Sequence, residues 1–116
     1  MDIKRYQTKI RMSRVVEHNA TLYFCGQTAK DDSADIKGQT ATALEKVEEL
    51  LNEAGSDKSR LLSVTIYLSD MANFKQMNEV WDSWVAPGQP PARACVEAKM
   101  ARPELLVELS VIAAKA

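Results

Sequence analysis

A chain of 116 residues, 46% apolar and 27% charged, has material for one globular core and little for a second, so one domain over residues 1–116 is expected. Fifteen basic side chains against sixteen acidic ones leave a formal charge of −1, which removes any global attraction to nucleic acid and leaves only the local patch Lys4, Arg5, Lys9, Arg11 and Arg14 to provide one. No apolar run approaches the ~20 residues of a membrane span, and Met1–Tyr6 lacks the apolar stretch of a secretory signal.

Cys25 and Cys95 lie far apart, form no Cys-x-x-Cys pair, and read as free thiols of a cytoplasmic protein. With His18 as the sole histidine, they make no ligand set for zinc, so no structural metal is expected.

Val15–Val16 and Leu22–Phe24 flank Asn19-Ala20, which predicts a hairpin. From Asp35 to Ala54 the pattern turns helical. Ala41, Leu44, Val47 and Leu51 form an apolar stripe, and Glu45, Lys46, Glu48, Glu49 and Glu53 take the other faces. Asp35 suits the N-cap, and Gly55 suits a left-handed stop. Leu62–Ser69 alternates with period two, predicting a strand whose second face carries Ser63, Thr65 and Tyr67. Asp70 is placed to cap a second helix, with Phe74, Met77, Trp81 and Trp84 along one side and Pro87-Gly88 and Pro90-Pro91 closing it. Two further strands, Ala92–Ala98 and Leu105–Ala113, surround a loop containing Arg102-Pro103. The order β-β-α-β-α-β-β predicts an α+β domain with both helices on one face of the sheet.

Leu105, Val107, Leu109 and Val111 point one way, and Leu106, Glu108, Ser110 and Ile112 the other. The preceding strand sets Arg93, Cys95 and Glu97 on one side. Antiparallel pairing of these two strands around Ala101–Arg102 would put Cys95 opposite Glu108 and Arg93 diagonal to it, ~7–8 Å away at the backbone. A guanidinium and a carboxylate would then share a face with Thr65, Tyr67, Leu106 and Ile112. Such a face is too apolar for idle surface and too polar for a dry core, as a subunit interface holding a small polar site would be. The same spacing also fits a structural Arg93–Glu108 ion pair. Cys95 has no histidine motif beside it, so thiol catalysis is not expected. His18 reads as an exposed turn residue and Trp81/Trp84 as core. Asn78 is left between a local hydrogen bond and a substrate contact.

Pro91-Ala92-Arg93-Ala94-Cys95-Val96-Glu97 resembles the Pro-Ala-Arg-x-x-Val segment of the reactive intermediate deaminase (Rid/YjgF, RidA-like) family. Gly26-Gln27 resembles its Ser-Gly-Gln element, and Gly38-Gln39-Thr40…Ala43-Leu44 the start of its first helix. Leu68-Ser69-Asp70-Met71…Phe74…Met77-Asn78 resembles its strand-to-helix passage, and Leu106-Val107-Glu108-Leu109…Ile112-Ala113 its closing strand. These elements occur in family order over residues 20–114.

The resemblance implies a chorismate-mutase-like homotrimer with clefts between subunits. It implies hydrolysis of 2-imino acids and their enamine tautomers to 2-keto acids and ammonia, without metal or organic cofactor. Carried over by position, Arg93 binds the substrate carboxylate and Glu108 orients water or moves protons. Backbone groups at Gly26 and Cys95 line the pocket, with Asn78 at its edge. Chemistry agrees, because a guanidinium fork suits a carboxylate and imine hydrolysis needs only positioned water and a proton relay. The family usually carries a Gly-Pro-Tyr-Ser-Gln segment whose tyrosine lines the cleft. Here Lys9-Ile10-Arg11-Met12-Ser13-Arg14 stands in its place, which bears on substrate choice. The alternative is a non-catalytic trimer of the same fold that binds a carboxylate ligand or a partner. The ribonuclease activity sometimes attached to the family finds weak support in a neutral chain without a histidine pair.

Overall fold

The computed structural model describes residues 2–116. Strands β1 (Lys4–Tyr6), β2 (Val15–His18) and β3 (Thr21–Phe24) precede helix α1 (Ile36–Glu53). Strand β4 (Leu61–Leu68), helix α2 (Phe74–Trp84), strand β5 (Ala92–Glu97) and strand β6 (Val107–Ala114) follow. The strands make one mixed sheet in the order β1-β2-β3-β6-β4-β5, and both helices pack on one of its faces, as expected. The short polar β1 adds an edge strand that hydrophobic patterning does not signal.

The β2–β3 hairpin turns through Asn19 and Ala20 at φ 53° and 62°. Two left-handed residues give the turn a twist that matches the flanking strands. Alanine in that region costs roughly 1–2 kcal/mol, offset by the Lys115 N–H donating to the Ala20 carbonyl at 2.9 Å. In α1 the Asp35 carboxylate accepts the Gly38 N–H at 2.9 Å, and Gly55 ends the helix region at φ 76°. The buried face of α1 runs through Ile36, Gln39, Thr40, Ala43, Leu44, Val47, Leu50 and Leu51. Ala41 lies outside it and is exposed, because it falls off that arc at the helical period. Leu62 also departs from expectation. A register shift between Leu61 and Ser63 turns it outward, 48% exposed, while Leu61, Val64, Ile66 and Leu68 are buried. Asp70 caps a 3₁₀ turn, Met71–Asn73, rather than α2 itself, which starts at Phe74 without a side-chain cap.

The largest correction concerns strand pairing. β5 and β6 are not partners, because β4 lies between them, parallel to β5 and antiparallel to β6. The crossover through α2 returns the chain parallel to β4 on one side, while β6 fills the gap between β4 and β3. Leu105 is buried but precedes the strand. On β6, Val107, Leu109, Val111 and Ala113 are buried beneath the helices, and Glu108, Ser110 and Ile112 stand half-buried on the face opposite. That second face also carries Thr65, Tyr67, Tyr23 and Val96, the last two 46% and 43% exposed. No element among the described residues covers it.

Candidate functional site

Arg93 lies on β5 in register with Val64, which fixes its side chain on the helix side of the sheet. Its Nη1 donates to Asn78 Oδ1 at 2.8 Å. Its Cζ stands 5.3 Å from the Trp81 ring centroid and 6.0 Å from that of Phe74. Phe74, Asn78 and Trp81 follow i, i+4, i+7 spacing, so one stripe of α2 faces the guanidinium. Stacking on indole contributes about 0.5–2 kcal/mol and leaves the remaining N–H fork free. Asn78 thus hydrogen-bonds across from α2 to β5, to Arg93 itself. Trp81 is core, as the sequence implies, and is also the platform beneath the arginine, a role its spacing signals once Arg93 is placed. Cys95, two residues on, shares this side and packs against the core. Burial pushes its thiol pKa up against the pull of Arg93, which disfavours the thiolate.

Glu108 pairs with Tyr67 across β4 and β6 and points to the uncovered face. Its carboxylate lies over Gly26, where an added Cβ would come within 2.0 Å of Oε2. Beside it is a shallow depression of about 230 Å³ lined by Tyr67, Ala98, Lys99, Met100 and Glu108. The expected meeting of Arg93 and Glu108 within one chain does not occur. They occupy opposite faces of the sheet, with β4 between their strands, and Cys95 is not opposite Glu108. The ion-pair reading falls with it, since Arg93 bonds Asn78 instead. What remains is two groups of candidate residues, one of Arg93, Asn78 and Cys95, the other of Glu108 and Gly26. Tyr67, Lys99 and Met100 join the second; their role depends on a strand register that single-strand periodicity does not carry.

His18 is half-buried at the hairpin end, with Asn19 Nδ2 3.5 Å from its Nδ1. Among the described residues no group of three or more His, Cys, Asp or Glu side chains is placed to hold a metal ion. Among the described residues no helix is long and apolar enough to cross a membrane.

A six-stranded mixed sheet with two helices on one face, an arginine anchored on the helix side and a carboxylate on the bare side define a small α+β domain of the YjgF type. The chain belongs to the endoribonuclease L-PSP family, whose profile matches residues 3–115. It is 41% identical over 112 residues to a RutC family protein from Haemophilus ducreyi, covering 97% of this chain and 96% of that one. It is 41% identical over 114 residues to the RutC family protein YoaB of Escherichia coli, covering 98% and 99%. A crystal structure of a YjgF family member from Neisseria meningitidis superposes with a TM-score of 0.97 at 43% identity, covering 100% of this chain and 97% of that one.

Proposed function

We propose that the protein is a hydrolytic deaminase of 2-imino acids and their enamine tautomers, of the 2-aminoacrylate/2-iminopropanoate class, acting in clefts between the subunits of a cytoplasmic homotrimer. The observation that carries this reading is Arg93, held by Asn78 and Trp81 with its remaining fork unpaired. A bidentate grip on the substrate carboxylate fixes the position of C2. The enamine is protonated at C3 to give the imine. Water then adds to C2, Glu108 taking a proton from it, to form a carbinolamine. Glu108 then protonates the nitrogen and, as ammonia leaves, takes back the proton of the C2 hydroxyl, which becomes the carbonyl of the 2-keto acid. No covalent intermediate is needed, and the raised thiol pKa of Cys95 fits a pocket that uses its backbone. Arg93 and Glu108 face opposite ways in one chain, so a substrate touching both requires two chains. The bare, half-apolar sheet face supports that assembly.

The test couples an amino-acid oxidase, as the source of 2-imino acids, to this protein and follows imine loss. Arg93→Ala should abolish the acceleration and weaken 2-keto acid binding at least ~30-fold, since a charge pair of this kind contributes roughly 2–5 kcal/mol. Arg93→Lys should not restore it. Folded, trimeric Arg93→Ala protein working at the wild-type rate would refute the reading. Binding of keto acid with no turnover in the parent protein would assign a carboxylate-binding role instead.

A further inference from the structure

A second cavity lies on the helix side of the sheet, between α1 and the residues that flank β1, β2 and β3. It encloses about 240 Å³ and is lined by Gln7, Arg14, Gln27 and Lys46, with Glu49 and Glu53 among its remaining walls. Its lining carries two cations and two carboxylates. Glu49 is taken by Lys30 at 3.1 Å and Glu53 by the Gln7 amide at 2.7 Å. Lys46 donates only to the Thr28 carbonyl, at 3.0 Å, and Arg14 has no side-chain hydrogen bond or ion pair among the described residues. Arg14 and Lys46 thus border one cavity with Glu49 and Glu53, and among the described residues neither cation forms an ion pair with either carboxylate. Burial pushes the Lys46 pKa down, and the neighbouring Arg14 adds to that push against the opposing pull of Glu49.

Gln27 supplies the second feature. It is fully buried, and its Nε2 donates to the Cys25 carbonyl at 3.0 Å and to Cys25 Sγ at 3.1 Å. Those bonds fix the amide orientation, because the flipped form would set oxygen against the Cys25 carbonyl. Its Oε1 is left with no partner, the one buried side-chain polar atom so placed among the described residues. Native interiors seldom leave an acceptor in that state without something to fill it. The cavity thus offers cations for an anion and an acceptor for a donor. Its volume equals that of roughly eight waters, enough for a ligand the size of a small amino acid.

We infer that this cavity is a binding site for a small carboxylate that also carries a hydrogen-bond donor, the α-amino acids being the simplest class, held by Arg14 and Lys46 at one end and by Gln27 Oε1 at the other. The site does not depend on the deaminase reading, since it shares no residue with the Arg93 or Glu108 groups. It lies next to one of them, however: Gln27 directly follows Gly26, and its backbone exchanges hydrogen bonds of 2.8 and 2.9 Å with Leu109, the neighbour of Glu108.

The experiment is an NMR titration of the isotope-labelled full chain with L-serine, propionate and ethanolamine as probes. L-serine should shift the Gln27 side-chain amide and the Lys46 resonances along a saturating curve. Propionate, which lacks the donor, and ethanolamine, which lacks the carboxylate, should each bind at least ~10-fold more weakly, the cost of one charge-assisted hydrogen bond. Arg14→Gln and Lys46→Met should each weaken L-serine by a similar factor in proteins whose spectra remain folded. Arg93→Ala should leave the Gln27 response unchanged. Saturation of Gln27 by propionate as tightly as by L-serine would overturn the donor assignment and reduce the site to an adventitious ion only. Absence of any Gln27 or Lys46 response through the millimolar range would overturn the site altogether.

Discussion

Replacing Gly26 by alanine tests the placement of Glu108 with a single methyl group. The new Cβ would stand 2.0 Å from Glu108 Oε2 and 2.9 Å from its Cδ. Carbon–oxygen contact is comfortable near ~3.5 Å, so the carboxylate must swing away by roughly 1.5 Å. The backbone is not the obstacle, because Gly26 does not have the positive φ of Gly55 and Gly88. Alanine there gains about 0.4–1 kcal/mol by restricting the unfolded chain, and an off-rotamer Glu108 loses about 0.5–1.5 kcal/mol. The two nearly cancel, and the melting temperature should move by no more than a few degrees. Catalysis has no such compensation. A proton relay displaced by more than 1 Å should lose ~100-fold in turnover, measured with oxidase-generated 2-iminopropanoate, while 2-keto acid binding through Arg93 survives. Adding Glu108→Gln to Gly26→Ala should cost little more, since both disable one group. A folded Gly26→Ala protein with wild-type turnover would refute the role given to Glu108.

Asn78→Ala removes the 2.8 Å tether of Arg93 and should raise the KM or keto-acid Kd ~10-fold while lowering kcat less, as steady-state kinetics beside calorimetry would report. Gln39→Leu should be the most damaging buried polar change. Its Nε2 donates to the carbonyls of Asp32, Ala34 and Glu104 at 3.2, 3.1 and 2.9 Å, and its Oε1 accepts the Leu106 N–H at 3.0 Å. Loss of these bonds should cost about 3 kcal/mol and about 10–15 °C of melting temperature, read by calorimetry. The bare sheet face should bring three copies together at micromolar concentration by light scattering. Val96→Asp on that face should dissociate them without unfolding the chain; a monomeric parent protein would remove the shared cleft.

The parts of the fold legible in the sequence are those that local periodicity determines. Asn19-Ala20, the Asp35 cap and the alternation of Val64, Ile66 and Leu68 each specify their own segment. Pairing between segments is a different matter. β6 reads equally well as the partner of β5 or of β4, because its buried face needs only an apolar neighbour and both supply one. The wrong partner placed Arg93 beside Glu108 when register puts them back to back. Gly26 was legible as part of a motif, yet its physical reason, a carboxylate lying across it, exists only after β3 docks on β6. Leu62 misled because a bulge shifts the phase of an otherwise regular strand.

The back-to-back disposition of Arg93 and Glu108 has a genetic counterpart. If each cleft joins the arginine of one copy to the glutamate of its neighbour, two dead alleles can rescue one another. A chain with Arg93→Ala still lends a sound glutamate, and a chain with Glu108→Gln still lends a sound arginine. Unfolded together in equal amounts and refolded, they should assemble at random, and about a quarter of the clefts should carry both intact groups. Activity near that fraction of the parent would mark the protein as one whose chemistry no single polypeptide owns. A silent mixture would mean that each chain carries its own complete site.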